Sequence, residues 1–155
     1  MPPEGVKILA RNKRAQHEYF LEERFEAGIA LVGSEVKSLR EGRGSLAEAW
    51  ADLRTSEVFL VGSHIAEYPQ AGPMNHAPTR ERKLLLHRRE IDKLRARVAL
   101  RGYTVIPVAI YLKDGLVKVE IALARGKEVR DKRATVRARE MDREARAAVR
   151  RHAKR

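Results

Sequence analysis

A chain of 155 residues, 43% of them apolar, is long enough for one domain with one packed core. It carries 33 Lys+Arg against 21 Asp+Glu, a formal net charge of +12, so a nucleic-acid backbone is the default partner and a membrane the weaker one. The lack of cysteine excludes disulfides, thiolate nucleophiles, cysteine-ligated zinc and iron–sulfur clusters.

No secretory or membrane-spanning segment is predicted. The start, Met1-Pro2-Pro3-Glu4-Gly5, lacks the charged and apolar regions of a signal peptide. The longest nearly unbroken apolar run, Val105 to Leu112, is far short of a span of roughly 20 residues. With zero cysteines, this fits a reducing cytoplasm.

Residues 1–11 read as a flexible N-terminal segment, 12–124 as a folded body and 125–155 as a basic tail. Within the body, Tyr19 to Val32 reads as strand, turn and strand around Ala27-Gly28. Gly33-Ser34 caps a short helix, Glu35 to Glu41, which stops at Gly42. Leu46 to Leu53 and Val58 to Ile65 bracket a hairpin connection at Thr55-Ser56-Glu57. The span Glu67 to Thr79, with Gly72, Asn75 and three prolines, reads as a loop.

From Lys83 to Arg101 the period is helical. Ile91, Leu94 and Val98 mark its apolar face, Lys93, Arg97 and Arg101 another, and Gly102 a stop. Tyr103 to Leu112 and Leu116 to Ala124 then flank Lys113-Asp114-Gly115, a strong hairpin signal. In its second strand Val117, Val119, Ile121 and Leu123 face one way, while Lys118 and Glu120 face solvent.

About six short strands and two helices predict a mainly β fold. The expectation is a small closed antiparallel barrel of the oligonucleotide-binding kind, with two or three flanking helices and the basic C-terminal tail. Closure would also remove sheet edges. A split α+β sandwich is the alternative.

Catalytic patterns are scarce. His17, His64, His76, His87 and His152 are scattered, without the helical pairing of a zinc hydrolase, and read as surface or RNA-contacting imidazoles. Gly42-Arg43-Gly44 lacks the Lys-Ser/Thr of a P-loop. Glu22, Glu23 and Glu26 form the one tight carboxylate cluster; Glu22 and Glu26 share a strand face only if no bulge intervenes. Arg101-Gly102-Tyr103 begins like an RNA-recognition sheet motif, but Thr104 and Val105 break it. Eight aromatics in the whole chain leave little for a base-stacking platform. The reading is a non-enzymatic binder of structured RNA, with no cofactor or metal, that grips phosphates and reads shape.

The tail concentrates charge. From Arg125 to Arg155 there are 13 Lys+Arg and 5 Asp+Glu, and no Phe, Trp, Tyr, Leu or Ile. Such a segment cannot bury enough apolar area to order itself and should be disordered when free. Ala134, Ala138, Met141, Ala145 and Ala148 nevertheless recur at helical spacing, so it reads as an arm that folds on binding. The bland alternative is a solubilising tail.

Particular strings go further than composition. Asn12-Lys13-Arg14-Ala15-Gln16-His17-Glu18-Tyr19-Phe20 is followed by Phe25-Glu26-Ala27-Gly28-Ile29-Ala30-Leu31 and by Gly33-Ser34-Glu35-Val36-Lys37-Ser38-Leu39-Arg40. Arg82-Lys83-Leu84-Leu85-Leu86-His87, Gly102-Tyr103-Thr104-Val105, Ala124-Arg125-Gly126-Lys127 and Asp131-Lys132-Arg133 complete the set in register. The chain thereby resembles the SsrA-binding protein family, small protein B.

The resemblance implies an RNA-binding factor of bacterial trans-translation. Its members bind the tRNA-like domain of transfer-messenger RNA and accompany it, with elongation factor Tu, to stalled ribosomes. The tail enters the vacant message path near the small-subunit decoding centre and becomes helical there. The nascent peptide is then tagged and the ribosome released. The family fold is an oligonucleotide-binding-like barrel with flanking helices.

By matching position, the implied RNA-facing residues are Asn12, Glu26, Lys83, Leu85 and Lys118. Lys83 and Lys118 can neutralise phosphates, and Asn12 suits a base edge or a 2′-hydroxyl. Glu26 could accept from a base amino group or orient an arginine; taken without the resemblance it reads as a rim salt bridge. Leu85 packs against either the RNA-facing loop or the core. Charge pattern adds Lys13, Arg14, Lys37 and Arg40, the last two sharing a helix face or merely solvating it.

Gly126, Lys127, Asp131, Lys132 and Arg133 match the segment the family uses on the ribosome. Glu128 stands where the family commonly has Lys, and Arg130 where it often has His or Tyr; the Arg130 guanidinium can also stack on a base. Two other readings compete: a structural ribosomal protein, and an RNA-processing enzyme using Glu26.

Overall fold

The computed structural model describes residues 5–100 and 102–126. Its framework is the hairpin that the Asp-Gly pair announces. Asp114 and Gly115 take positive φ of 51° and 79°, the mirror-image turn whose twist matches that of the flanking strands. Strand β8 (Tyr103–Lys113) thereby pairs with β9 (Leu116–Gly126), from Lys113↔Leu116 to Tyr103↔Arg125.

Around it runs a seven-stranded antiparallel sheet in the order β1-β8-β9-β2-β7-β5-β4. The other strands are β1 (Val6–Arg11), β2 (Tyr19–Ile29), β4 (Trp50–Leu53), β5 (Val58–Val61) and β7 (Arg82–Leu85). A separate pair joins β3 (Gly44–Ser45) to β6 (His64–Ile65). Helix α1 (Ala15–Glu18) precedes β2, α2 (Gly33–Arg40) follows it, and α3 (Arg88–Val98) lies between β7 and β8. A short 3-10 segment, Pro69–Met74, occupies the proline-rich loop.

Four expectations need correction. Residues 6–11 are not a flexible leader: they form edge strand β1, paired with β8. The sheet is not a closed barrel. It curls until β4 packs against β8, but β1 and β4 are its two open edges. Residues 46–49, ahead of β4, form no strand, and Ala47 and Glu48 make a turn there. Side chains from outside the main sheet, Leu39 of α2, Leu46 and Ile65, fill the core there.

Third, β2 is continuous where Ala27-Gly28 suggests a turn. Gly28 meets Leu85 of the next strand so closely that an added Cβ would lie 3.2 Å from the Leu85 Cβ; the glycine serves a close approach. Fourth, the helix predicted from Lys83 begins only at Arg88. Arg82 to Leu85 is a strand with Arg82 and Leu84 buried and Lys83 and Leu85 exposed. His87, in extended conformation, precedes α3, and its N–H donates to Glu90 Oε1 at 2.9 Å. Among the described residues no helix is long and apolar enough to cross a membrane.

The core lies between the concave sheet face and α2 and α3, and contains Phe25, Leu39, Leu60, Leu84, Leu94, Ile110 and Ile121. It also contains a charge. Arg82 is 0% exposed and donates from Nε to Glu35 Oε2 at 2.7 Å. Its Nη1 reaches Ser63 O and Oγ at 3.2 and 3.0 Å, and its Nη2 the carbonyls of Ala77 and Pro78 at 3.4 and 3.1 Å. Glu35, also 0% exposed, accepts from Arg80 Nη2 at 2.6 Å and from the Val32 N–H at 2.9 Å.

Burial pushes the Glu35 carboxyl up, but hydrogen bonds from Arg80, Val32 N–H and Arg82 outweigh it and hold the group below its ordinary 4.5. A lowered carboxyl adds stability that is complete above its unfolded pKa and lost as pH falls through the folded one. The cluster therefore stabilises the fold above pH 4.5 and releases it in acid below that value. Glu35→Gln, which strands the buried guanidinium, is expected to cost about 3–5 kcal/mol in urea unfolding at pH 7 and to flatten the acid limb. A loss under about 1 kcal/mol would refute the role assigned to this pair.

Candidate RNA interface

Period 2 sends alternate residues of β8, β9, β2 and β7 to the convex face of the sheet, away from the core. The pairing sets them in rows. Tyr111 lies opposite Lys118, Lys118 opposite Gly28, and Gly28 opposite Leu85, so one row crosses four strands. In the next row Glu120 lies opposite Glu26. Lys83, two residues before Leu85, is exposed as Leu85 is. Four implied RNA-facing residues, Glu26, Lys83, Leu85 and Lys118, thus share one surface. Leu85 is 52% exposed, which decides its open assignment: it is on this face and not in the core.

At the β1–β8 end the surface sinks into a groove of about 480 Å³. Asn12, Lys13, Arg24, Glu26, Tyr111 and Lys113 are among the residues that line it. Its floor is ordered by hydrogen bonds. Tyr111 O–H donates to Glu26 Oε2 at 2.5 Å, and Lys113 Nζ lies 3.3 Å from the same oxygen. Arg24 Nη1 takes Glu120 Oε1 at 3.0 Å. The Tyr111 bond, chiefly, holds the Glu26 carboxyl below its ordinary value, with Lys113 and Lys118 adding to it against partial burial. Burial and Glu26 together push the Tyr111 phenol up, so it stays a neutral donor.

The remaining expected residues are placed differently. The Asn12 amide donates to Pro107 O at 2.8 Å and its Oδ1 accepts from Arg14 N–H at 3.2 Å; the backbone N–H donates to Val108 O at 2.8 Å. Asn12 thus ties β1 to the bulge in β8 while lining the groove. Lys13 is exposed at the groove, whereas Arg14 is ion-paired with Glu18 at 3.2 Å. Lys37 and Arg40 are exposed on α2, away from the groove lining. Lys37 borders a second cleft beside Tyr68, its Nζ 5.7 Å from the ring centre.

A bulge does intervene at Glu22. It parts Glu22 from Glu26, turning Glu22 toward Arg97, Tyr103 and Arg125 at 3.2, 3.1 and 3.6 Å. Lys93 of α3 pairs with Glu23 at 2.6 Å. His76 and His17 are buried, not surface imidazoles. His76 lies between Ser34 Oγ and the Ile65 carbonyl, both at 2.8 Å. A carbonyl only accepts, so Nε2 carries the proton and Ser34 donates to Nδ1.

Among the described residues no three His, Asp or Glu are grouped to hold a metal ion. Strand β9 runs to Gly126, two residues past the expected end of the body. Lys127, Glu128, Arg130, Asp131, Lys132 and Arg133 lie outside the described residues, as does the alanine stripe. Tyr111, Lys113, Arg24 and Glu120 escaped the sequence reading of the site. A signal was present: counting back from the Asp-Gly turn puts Tyr111 opposite Lys118.

Comparison with known proteins identifies the family. The family model described as SmpB protein matches residues 9–151. The SsrA-binding protein of Oleidesulfovibrio alaskensis is 51% identical over 148 residues, covering 96% of each chain. That of Nocardioides is 52% identical over 151 residues, covering 97% of this chain and 95% of the relative. That of Bifidobacterium longum is 52% identical over 152 residues, covering 97% and 96%. A solved structure described as "tmRNA-SmpB: a journey to the center of the bacterial ribosome" superimposes with a TM-score of 0.65 at 42% identity, covering 80% of this chain and 85% of that chain. With half its residues shared over nearly the full length of such relatives, and a match to the family model almost as long, the chain belongs to the SmpB family of SsrA-binding proteins.

Proposed function

We propose that this protein binds the tRNA-like domain of transfer-messenger RNA and carries it, with elongation factor Tu attached through the charged RNA, to stalled ribosomes. There it serves trans-translation in the cytoplasm: the nascent peptide is tagged and the ribosome released. The protein is a binding module and not an enzyme. One observation carries the RNA half of the reading: Glu26, Lys83, Leu85 and Lys118 occupy one face of three adjacent strands. The names of the relatives and of the structural neighbour support transfer-messenger RNA and the ribosome as partners.

Lys118, in the row through Gly28, and Lys83, on the strand beyond it, neutralise phosphates, and the missing side chain of Gly28 keeps the surface low on the strand between them. Lys83 is paired with Glu57 at 3.0 Å, but both side chains are about 45% exposed. Such a pair is worth little and gives way to a phosphate. Leu85 supplies an apolar contact to a ribose or base edge. Residues 127–155 then enter the empty message path near the decoding centre and engage it through Lys127, Arg130, Lys132 and Arg133, with Gly126 at the root.

Truncation after Gly126, which leaves β9 whole, is expected to keep affinity for transfer-messenger RNA within a few-fold and to abolish tagging in a reconstituted translation assay. An affinity loss beyond tenfold, ~1.4 kcal/mol, would defeat this division of labour. In a salt titration Lys118→Ala is expected to reduce the log–log slope by about 0.7–0.9, the mark of one lost phosphate contact. An unchanged slope would remove Lys118 from that role.

A further inference from the structure

We infer that Tyr111 positions Glu26 to accept a hydrogen bond from a neutral donor of the bound RNA, a base amino group or a ribose 2′-hydroxyl. Tyr111 is then a specificity residue of the groove. The inference rests on the reading of the convex face as the RNA surface.

An ionised carboxylate in a phosphate-binding surface is costly. It repels the backbone and can only accept hydrogen bonds. Here the cost is raised further, because Glu120 stands directly opposite Glu26 and like charges in that relation are unfavourable. The two carboxylates have separate partners: Arg24 for Glu120, and Tyr111 with Lys113 for Glu26. The Tyr111 contact is the short one, in the range of a charge-assisted O–H···O bond, and it engages Oε2.

Among the described residues the hydrogen-bond partner of Oε1 is Lys113, at 3.5 Å, so lone pairs of Oε1 are available in the groove. A half-buried tyrosine has two side-chain torsions, fewer than lysine, and so fixes where Oε1 points. The groove, at about 480 Å³, is in the size range of pockets that enclose a small ligand, enough for a single nucleoside. A phosphate brought there meets the carboxylate; an amino or hydroxyl group meets an acceptor. Rejection and attraction come from the same atom, which is how specificity differs from affinity.

The test is a double-mutant cycle on the full chain, read as affinity for transfer-messenger RNA at fixed salt. Tyr111→Phe and Glu26→Gln are each expected to weaken binding about tenfold. In the Glu26→Gln background Tyr111→Phe should add less than twofold. Equal losses in both backgrounds would overturn the inference, since Tyr111 would then act without Glu26; so would no loss at all.

Two further readouts separate positioning from a folding defect. In the free protein, carbon-13 titration should show the Glu26 carboxyl midpoint rising in Tyr111→Phe, with Lys113, Lys118, Arg24 and Glu120 left in place; an unmoved midpoint counts against the role. RNAs lacking single base amino groups, and RNAs with single 2′-deoxy positions, identify the donor. One of them should lose affinity for the wild type and not for Glu26→Gln. If neither series does, no donor is read. A wild-type chain that binds a tRNA mixture as tightly as transfer-messenger RNA would instead sink the functional reading itself.

Discussion

Arg82 carries a full positive charge to the inner side of a β-sheet, and three separate segments converge on it: Glu35 from α2, Ser63 from the turn after β5, and the carbonyls of Ala77 and Pro78 ahead of β7. Burial alone would lower its pKa, and Glu35 opposes that. The consequence reaches the opposite side of the sheet. Strand residues alternate sides, so fixing Arg82 inward fixes Lys83 outward, Leu84 inward and Leu85 outward. A slip of one residue would bury the lysine and turn the arginine out. Hydrophobic patterning would resist such a slip weakly here, because Leu84, Leu85 and Leu86 are equally apolar. The ion pair specifies the register, and the register places two residues, Lys83 and Leu85, of the candidate surface.

The convex surface is not simply positive. The net charge of +12 supplies a long-range field that favours encounter with any polyanion. At contact distance, acids and bases are interleaved: Glu26 and Glu120 among Arg24, Lys113 and Lys118. The long-range field and the short-range charge pattern thereby come from different groups. The bulge at Glu22 completes the sorting, since it sends one carboxylate of the Glu22, Glu23 and Glu26 run to Arg97 and Arg125 and leaves another in the groove.

Much of this was legible in the chain. The Asp114–Gly115 hairpin declares itself through turn chemistry, because positive φ at both positions selects those residues. The α2 helix is legible from Gly33 to Gly42, and Lys118 faces outward as strand alternation requires. Other features depend on neighbours that a linear reading cannot see. Gly28 reads as a turn until Leu85 is laid across it. Leu84 to Leu86 fits helix and strand alike until the buried Arg82 decides. Barrel closure depends on whether the two end strands, β1 and β4, pair, and they do not. At the site, Glu26 is legible through the family resemblance and not from its chemistry, and the role of Tyr111 lies in a hydroxyl whose partner is 85 residues away in the chain.

The three irregularities of register in the main sheet fall on β1, β2 and β8: Leu9, Glu22 and Val108 are the extra residues. Strand β9 takes none. It runs unbroken from Leu116 to Gly126, with neighbours hydrogen-bonded on both edges. Lys118 sits near one end and Gly126 at the other, eight residues apart. At the usual rise of about 3.4 Å per residue that is roughly 27 Å. The strand is therefore a straightedge. It sets a fixed length between the candidate surface at Lys118 and the end of the strand at Gly126, with no break in pairing between the two.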